Sequence, residues 1–211
     1  MTTALIIDDH PIVLQGCRRI LEDSGVKTLL EARDIASGYR MYRRHNPDVV
    51  IVDLAMQSKG LSGLALIRRI RSHDPRARIL VFSMHSDPMI VVRALEAGAT
   101  GYVIKDTSSD ELIEAFEKVR TGTPHLSNEL AMQVALVGTG VRRNALHDLT
   151  PREMEVLSLL AEGKPYSAIA GDLSVSYKTV VNMSSQLKQK LGAKTLPELI
   201  RTAVQLLSPV G

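Results

Sequence analysis

Short apolar runs alternate with longer amphipathic stretches over the first 122 residues of the chain. The runs at 4–7, 49–52, 79–82 and 102–104 are rich in Val, Ile and Leu, which is typical of parallel strands that are buried on both faces. A weaker strand is predicted at 27–32. The amphipathic stretches predict helices at 11–23, 36–45, 63–73, 88–97 and 109–121. This alternation predicts a βα array built around a parallel sheet.

The pattern changes after residue 121. One more helix is predicted at 127–137, and the sequence Gly138-Thr139-Gly140 then interrupts it. From residue 148 onward the periodicity predicts four short helices, at 151–162, 166–173, 177–191 and 197–207. We therefore predict a first domain at 1–122, a linker with one helix at 123–147, and an all-α domain at 148–211.

Composition limits the class of protein. A length of 211 residues suits two domains better than one. Cys17 is the only cysteine, which excludes an internal disulfide, and we expect it to be structural. No basic region precedes the first apolar run, as it would in a signal peptide, and no apolar stretch approaches the roughly 20 residues of a membrane helix. We therefore expect a cytoplasmic protein without membrane association; a net charge of +3 does not by itself identify a nucleic-acid partner.

Polar residues follow four of the predicted strands at the point where each strand ends. Asp8 and Asp9 follow the first run and Asp53 the next, and Ser83 and Lys105 follow the last two. The carboxyl ends of parallel strands form the ligand crevice of an open sheet, so we expect these side chains to converge. Three carboxylates, a hydroxyl and an amine are suited to holding a divalent cation and moving a phosphoryl group onto a carboxylate.

The predicted cation is Mg²⁺, which prefers oxygen ligands and relieves the repulsion between crowded carboxylates. Its predicted ligands are Asp8, Asp9, Asp53 and the backbone carbonyl of Ala55. Asp53 is the predicted nucleophile toward phosphorus. Lys105 is expected to neutralise a phosphoryl oxygen.

Two further residues are expected to respond to the phosphoryl group. Ser83 can donate a hydrogen bond to it. Tyr102 lies three residues before Lys105 on the same strand. We predict that Tyr102 moves inward when Ser83 shifts.

These residues resemble the receiver domain of two-component response regulators, and the resemblance covers the whole first domain. The matching sequences are Asp8-Asp9-His10-Pro11, Asp53, Ser83-Met84-His85 and Tyr102-Val103-Ile104-Lys105. The resemblance implies a five-stranded, doubly wound, flavodoxin-like sheet, Mg²⁺ bound with the help of Asp8 and Asp9, and a phosphoryl group that Asp53 accepts from a sensor histidine kinase. It implies that Ser83 and Tyr102 transmit the phosphorylated state to the outer face, and that His10 is structural.

One loop departs from the receiver pattern. Receivers usually continue from the phosphoacceptor as Asp-x-x-Met-Pro-Gly. Here Gln57 replaces the proline, and the segment up to Gly60 looks about two residues longer. We expect phosphorylation to persist with an altered rate and lifetime.

The helices predicted at 166–173 and 177–191 are joined by three residues and favour a helix-turn-helix. Within the second helix, an apolar stripe recurs at helical spacing and should face the core; it consists of Val180, Met183, Leu187 and Leu191. Another face carries Lys178, Val181, Asn182 and Ser185. Four lysines and no acidic residue lie between 178 and 194, as contact with phosphates requires.

The same region resembles the LuxR-type DNA-binding domain of NarL/FixJ-family regulators. The matching residues are Leu149-Thr150-Pro151-Arg152-Glu153, Val156-Leu157, Gly163, Ile169-Ala170, Leu173, Ser176, Lys178-Thr179-Val180, Asn182 and Lys190-Leu191-Gly192. The resemblance implies a recognition helix in the major groove and a homodimer that uses the last helix.

The DNA contacts can be predicted from side-chain chemistry. Asn182 can pair with an adenine edge and Val181 can touch a thymine methyl, whereas Lys178 and Lys188 can bind phosphates. The full predicted set is Lys178, Thr179, Val181, Asn182, Ser185, Lys188 and Lys190. The family often has a lysine and a histidine beside the asparagine, where this chain has Val181 and Met183, so we expect an unusual target sequence or affinity.

Together these features predict a transcription regulator, not an enzyme, in which phosphorylation of Asp53 controls binding to double-stranded promoter DNA. The expected partners are a sensor kinase, the transcription machinery and, after phosphorylation, a second copy of the chain. One alternative is an adaptor whose helical domain binds protein rather than DNA. A second, a metal-dependent phosphatase, is disfavoured because Asp8-Asp9-His10 lacks the Asp-x-Asp pair of such enzymes.

Overall fold

The first part of the chain forms a parallel sheet with helices on both faces. The structure, a computed structural model, describes residues 2–56, 60–138, 146 and 148–207. The strands are β1 (Thr3–Ile7), β2 (Thr28–Ala32), β3 (Val49–Val52), β4 (Ile79–Ser83) and β5 (Gly101–Ile104). They lie in the order β2-β1-β3-β4-β5, and every pairing is parallel. This order confirms the predicted five-stranded, doubly wound sheet, including its weakest strand.

A helix follows every strand, and five more helices follow in the described part of the chain. Those of the first domain are α1 (Pro11–Asp23), α2 (Ile35–His45), α3 (Ser62–His73), α4 (Pro88–Ala97) and α5 (Ser109–Arg120). They are followed by α6 (Asn128–Gly138), α7 (Pro151–Ala161), α8 (Tyr166–Asp172), α9 (Tyr177–Leu191) and α10 (Leu196–Leu207). Each predicted element is confirmed, with ends that differ by at most one residue. None of the described helices is long and apolar enough to span a membrane.

Local sequence signals explain several helix ends. Thr150 accepts a hydrogen bond from the Glu153 amide, and the Glu153 carboxylate accepts one from the Thr150 amide at 2.7 Å, which completes a capping box at the start of α7. Asp87 caps α4 through the Met89 amide. Gly98 ends that helix with φ of 109°, a conformation that a side chain disfavours.

Two apolar clusters, one on each face of the sheet, form the core. The smaller cluster packs α1 and α5 against the sheet and includes Ile6, Leu14 and Phe116. The larger one lies under α2, α3 and α4 and continues through Leu130 of α6 into the helical domain. The two parts of the chain therefore share one continuous apolar core.

The helical domain packs at the carboxyl edge of the sheet. The Gly60 amide donates to Glu162 Oε1 at 3.0 Å, and the Arg93 guanidinium donates to the Leu149 carbonyl. Gly60 lies in the loop after β3, and Arg93 lies in α4, which follows β4. Their partners, Leu149 and Glu162, flank the two ends of α7. The carboxyl edge of the sheet, where the candidate site lies, is thus also the interface between the two domains.

We expect Gly63→Ala to lower the free energy of unfolding by about 1–3 kcal/mol, because there is no room for a methyl group. A Cβ at Gly63 would lie 2.3 Å from the Asp53 carbonyl oxygen and 2.7 Å from Leu54 Cα. Urea denaturation measures the change. The matched control is Gly16→Ala within α1, where nothing lies within 4 Å; it should be neutral or stabilising by about 0.5–1 kcal/mol. Equal stability of the two variants would contradict the predicted close packing.

Candidate functional site

An acidic cluster forms where β1 and β3 end. Asp8 and Asp9 follow β1 and Asp53 follows β3, and these strands are neighbours, with Ile7 paired to Val52. One ligand atom each from Asp8, Asp9, His10 and Asp53 lies within 4.8 Å of the others. The predicted convergence of the three carboxylates is therefore observed.

Lys105 bridges two of these carboxylates. Its Nζ lies 2.7 Å from Asp8 Oδ2 and 3.1 Å from Asp53 Oδ2. All three side chains are buried: Lys105 is 6% exposed, Asp8 2% and Asp53 3%. Ion pairs that are this well shielded from water interact more strongly than surface pairs.

The surroundings of Asp53 oppose its ionisation. Burial raises the pKa of the Asp53 carboxyl, the Lys105 ammonium acts in the opposite direction, and the charge of Asp8 raises the pKa further. The pKa of Lys105 is raised: burial lowers it, but the charges of Asp53 and Asp8 outweigh that effect. The site therefore holds more negative charge than its single lysine balances, which favours a further cation.

The donor set fits Mg²⁺. Carboxylate oxygens are hard ligands, and Asp8, Asp9 and Asp53 place such oxygens at one edge of the sheet. The predicted ligand role of the Ala55 carbonyl stays a prediction. Of the altered loop, residues 57–59 lie outside the described part of the chain, so the consequence predicted for Gln57 also stays a prediction.

Two residues that were expected to be structural differ in their environment. Cys17 is buried, and burial together with the charge of Asp8, opposed by Lys105, raises its thiol pKa to about 12, as suits a structural residue. His10 is not a core residue: its side chain is 62% exposed, and its Nδ1 lies 3.1 Å from Asp8 Oδ1 and 3.1 Å from Asp9 Oδ1. His10 therefore belongs to the acidic cluster, and its backbone amide also donates a hydrogen bond to Asp8 Oδ1 at 2.8 Å.

The predicted switch residues lie on the next two strands. Ser83 and Tyr102 are fully buried. The Tyr102 hydroxyl donates to the His85 carbonyl oxygen at 2.7 Å, and the His85 amide donates to Ser83 Oγ at 3.4 Å. The Tyr102 ring is already inside the protein in this conformation, so an inward movement would start from another state.

His85 was not among the predicted functional residues. Its Nδ1 lies 3.2 Å from the carbonyl oxygen of Leu207, at the end of α10. Burial lowers the pKa of this imidazole, which favours a neutral ring that donates through Nδ1. The ring borders a cavity of about 220 Å³ between the domains, which is also lined by Ala55, Glu162 and Val204. Its only signal in the sequence was its place two residues after Ser83.

The surface of α9 agrees in part with the predicted DNA contacts. Lys178, Asn182 and Ser185 are exposed, and Thr179, Val181 and Lys188 are half-buried at the surface. Val180 and Leu187 are buried in the core, as predicted.

Lys190 differs from the other predicted contacts. Its Nζ lies 2.7 Å from Glu153 Oε2 and 2.9 Å from the Asp148 carbonyl oxygen. In this conformation its charge is bound within the helical domain.

Two family models match the chain. The response regulator receiver domain matches residues 4–117, and the model of bacterial regulatory proteins of the luxR family matches residues 147–203. The chain is a LuxR-type response regulator. The two resemblances that were drawn from the residue patterns are therefore confirmed, and the family is one of transcriptional regulators.

Relatives of this response regulator align along most of its length. It is 40% identical over 196 residues to the methanol utilization control regulatory protein MoxX of Paracoccus denitrificans, covering 93% of this chain and 88% of MoxX. It is 35% identical over 207 residues to the transcriptional activator protein ExaE of Pseudomonas putida, covering 95% of each chain. Among solved structures, RcsB from Salmonella enterica serovar Typhimurium, bound to promoter rprA in the presence of the phosphomimetic BeF3⁻, matches 99% of each chain with 29% identity and a TM-score of 0.77.

We expect Asp53→Asn to stabilise this response regulator at neutral pH, because the substitution removes a buried charge whose ionisation the site opposes. The pKa of Asp53 is raised on folding, so the folded state binds the proton more tightly than the unfolded state. Wild-type stability should fall as the pH rises from about 4 through the raised pKa, and the variant should lose this part of the decrease.

Urea denaturation between pH 4 and pH 8 measures the effect, with Asp23→Asn on the exposed end of α1 as control. Mg²⁺ should reduce the difference in the free energy of unfolding between the wild type and the Asp53 variant, since the intact cluster is the predicted Mg²⁺ site. A variant that is less stable than the wild type at pH 7 would contradict the prediction that the charge of Asp53 destabilises the folded state.

Proposed function

We propose that a sensor histidine kinase phosphorylates Asp53 of this response regulator and that the phosphoryl group controls its binding, as a homodimer, to promoter DNA. The observation that supports this most directly is a series of hydrogen bonds that leads from the Lys105 amide through Ser83 and His85 to Leu207 of α10. The family supplies the general function of a DNA-binding transcription regulator. The chemical step, the dimer and the mode of control are the proposed parts.

The chemical step needs a nucleophile and positive charge that neutralises the phosphoryl oxygens. An Asp53 carboxylate oxygen attacks phosphorus, a new O–P bond forms, and the bond between phosphorus and the donor nitrogen breaks. Lys105, 3.1 Å from Asp53, is placed to neutralise a phosphoryl oxygen. Mg²⁺, held by Asp8, Asp9 and Asp53, would supply further charge neutralisation.

The route to α10 runs through the loop between β4 and α4. Ser83 is hydrogen-bonded to the His85 amide, Tyr102 to the His85 carbonyl, and the His85 ring to the carbonyl of Leu207. A phosphoryl group that accepts a hydrogen bond from the Ser83 hydroxyl would draw Oγ toward Asp53 and thereby weaken the bond that Oγ accepts from the His85 amide at 3.4 Å. We infer that the loop then moves and that the contact between His85 and Leu207 is lost.

Two further contacts hold the domains together near the site. The Gly60 amide bonds to Glu162, and Arg93 bonds to Leu149. Burial raises the pKa of the Glu162 carboxyl, although the Gly60 amide and Lys164 act against that effect. Because Gly60 belongs to the loop after Asp53, a movement of that loop also strains this contact.

The arrangement favours control through α10 over control by covering α9. Residues of α9 such as Lys178 and Asn182 are exposed while α10 packs against α7 and the receiver. Release of α10 would free the predicted dimer surface. Two α9 helices would then meet two half-sites, and contacts with the transcription machinery would follow. A shift of this kind needs a few kcal/mol of differential stabilisation.

The adaptor hypothesis predicts that the helical domain binds a protein and has no salt-dependent affinity for duplex DNA. The luxR-family match over residues 147–203 favours DNA as the ligand of the helical domain. A salt-dependent affinity for duplex DNA would support it further, because phosphate contacts release counterions. The phosphatase hypothesis would require turnover of phosphoesters well beyond one equivalent.

We expect Asp53→Asn to abolish labelling by a small radioactive phosphodonor, since an amide nitrogen cannot replace the attacking carboxylate oxygen. The same variant, treated with Mg²⁺ and beryllofluoride, should not retain the genomic fragments that treated wild type retains. Sequencing of the retained DNA should give a motif with two half-sites only for the wild type. The control is again Asp23→Asn, which should behave as wild type.

Undiminished labelling of Asp53→Asn would overturn the phosphoacceptor assignment. Equal oligomeric state and equal DNA affinity before and after phosphorylation would overturn the proposed control. Absence of any DNA enrichment would favour the adaptor.

We expect His85→Ala to raise the dimer fraction of the unphosphorylated protein several-fold. The substitution removes the ring contact with Leu207 but keeps the backbone groups that bond to Ser83 and Tyr102. Analytical ultracentrifugation at a series of concentrations measures the dissociation constant. His45→Ala, on the exposed end of α2, is the matched control; a dimer fraction that is the same in both variants would contradict the role of this contact.

A further inference from the structure

The helical domain has a small excess of positive charge for a DNA-binding unit. Residues 148–211 contain seven basic and six acidic residues. Among the residues that the structure describes, three of these seven cations form ion pairs inside the domain, with a side-chain nitrogen 2.5–2.7 Å from a carboxylate oxygen; they are Arg152, Lys164 and Lys190. Neutral hydrogen-bond donors therefore gain importance for contact with the DNA backbone.

One neutral donor stands at the start of the recognition helix. Tyr177 is the first residue of α9, directly before Lys178, and is 57% exposed. Among the residues that the structure describes, no group forms a hydrogen bond with its hydroxyl. In a helix-turn-helix the N-terminal residues of the second helix lie closest to the DNA, so this phenol is presented at the edge that approaches the duplex.

A second tyrosine fixes the position of this ring. Tyr166 begins α8 and contacts Tyr177 edge to face, with ring centroids 6.1 Å apart and an interplanar angle of 65°. Its own hydroxyl is 2.6 Å from the Oγ of Ser184, a buried residue two turns further along α9. Tyr166 is thus anchored at both ends, to the first turn of α9 and to its middle.

We propose that Tyr166 and Tyr177 form a phosphate-binding pair, in which the Tyr177 hydroxyl donates a hydrogen bond to a phosphate oxygen of the DNA backbone. Tyr166 is a positioning residue, because it holds the Tyr177 ring and does not contact the DNA. The proposal rests on the proposed placement of α9 in the major groove. Phosphate contacts set register and affinity but do not read the base sequence.

Because the phenol is neutral, its contact with phosphate should differ from that of a lysine in the salt dependence of binding. A lysine that binds phosphate displaces a counterion, and its loss reduces the slope of log K against log salt concentration by about 0.9. A neutral donor displaces none. Its loss should lower affinity by the same factor at every salt concentration.

The test compares four full-length proteins treated with Mg²⁺ and beryllofluoride: wild type, Tyr177→Phe, Tyr166→Phe and Lys178→Gln. Each is titrated by fluorescence anisotropy against two 30-base-pair duplexes, one with a motif retained by the wild type and one of equal composition without it, at several salt concentrations. We expect Tyr177→Phe to weaken binding to both duplexes by about tenfold with an unchanged salt slope, since a hydrogen bond to a charged group is lost. Lys178→Gln should reduce the slope by about 0.9.

The role of Tyr166 is tested by a double-mutant cycle. Tyr166→Phe keeps the ring contact but loses the bond to Ser184, so we expect a smaller loss of affinity. In the double variant the loss should equal that of Tyr177→Phe alone, because Tyr166 acts only through Tyr177. Thermal denaturation monitors folding; a general loss of structure would appear as an additive effect and would contradict the positioning role.

Wild-type affinity of Tyr177→Phe for both duplexes would overturn the phosphate contact. A loss confined to the motif duplex would also overturn it, since that result indicates reading of a base. If the wild type itself shows no salt-dependent binding to either duplex, the proposed DNA function fails as well, and the two failures are thereby distinguished.

Discussion

The ion pairs between Lys105 and the buried carboxylates of Asp8 and Asp53 are the constraint on which the rest of the structure depends. Two buried anions are costly to place beside each other, and one ammonium only partly compensates them. They remain together because the parallel sheet places three strand ends at one edge. Any change of charge on Asp53 must therefore be accommodated by this cluster, by a cation or by the loops around it. The cluster is therefore electrostatically unfavourable and, for the same reason, sensitive to a change of charge on Asp53.

The loops that can respond are the ones that hold the second domain. Gly60 follows β3 and His85 follows β4, and both bond to residues of the helical domain, Glu162 and Leu207. The sheet itself is buried and close-packed, so it is a poor place for movement. The interface at its carboxyl edge contains hydrogen bonds from both of these loops and borders a cavity. In the proposed mechanism, a rearrangement of these loops changes the packing of the two domains.

Much of the fold could be predicted because strands that are buried on both faces, and helices with one apolar face, leave periodic patterns. The convergence of the acidic residues followed from strand ends alone. The contacts of Gly60 and His85 could not be predicted, since their partners lie 102 and 122 residues away and no local pattern encodes the pairing. The internal ion pair of Lys190 was hidden for the same reason: a lysine on a basic helix has the same sequence signal whether it faces DNA or a carboxylate.

The exposure of α9 in this arrangement does not conflict with control of DNA binding. A single recognition helix reaches one half-site, whereas a dimer binds the second half-site as an intramolecular event, which raises overall affinity by roughly 10²–10⁴-fold. If the dimer forms through α10 as proposed, keeping α10 packed against the receiver suffices to keep promoter binding weak, even when every predicted DNA-contacting side chain is accessible. The small positive charge of the helical domain strengthens this effect, because weak electrostatic attraction leaves the monomer little residual affinity. In this proposal, phosphorylation has to change the dimerisation equilibrium more than the exposure of α9.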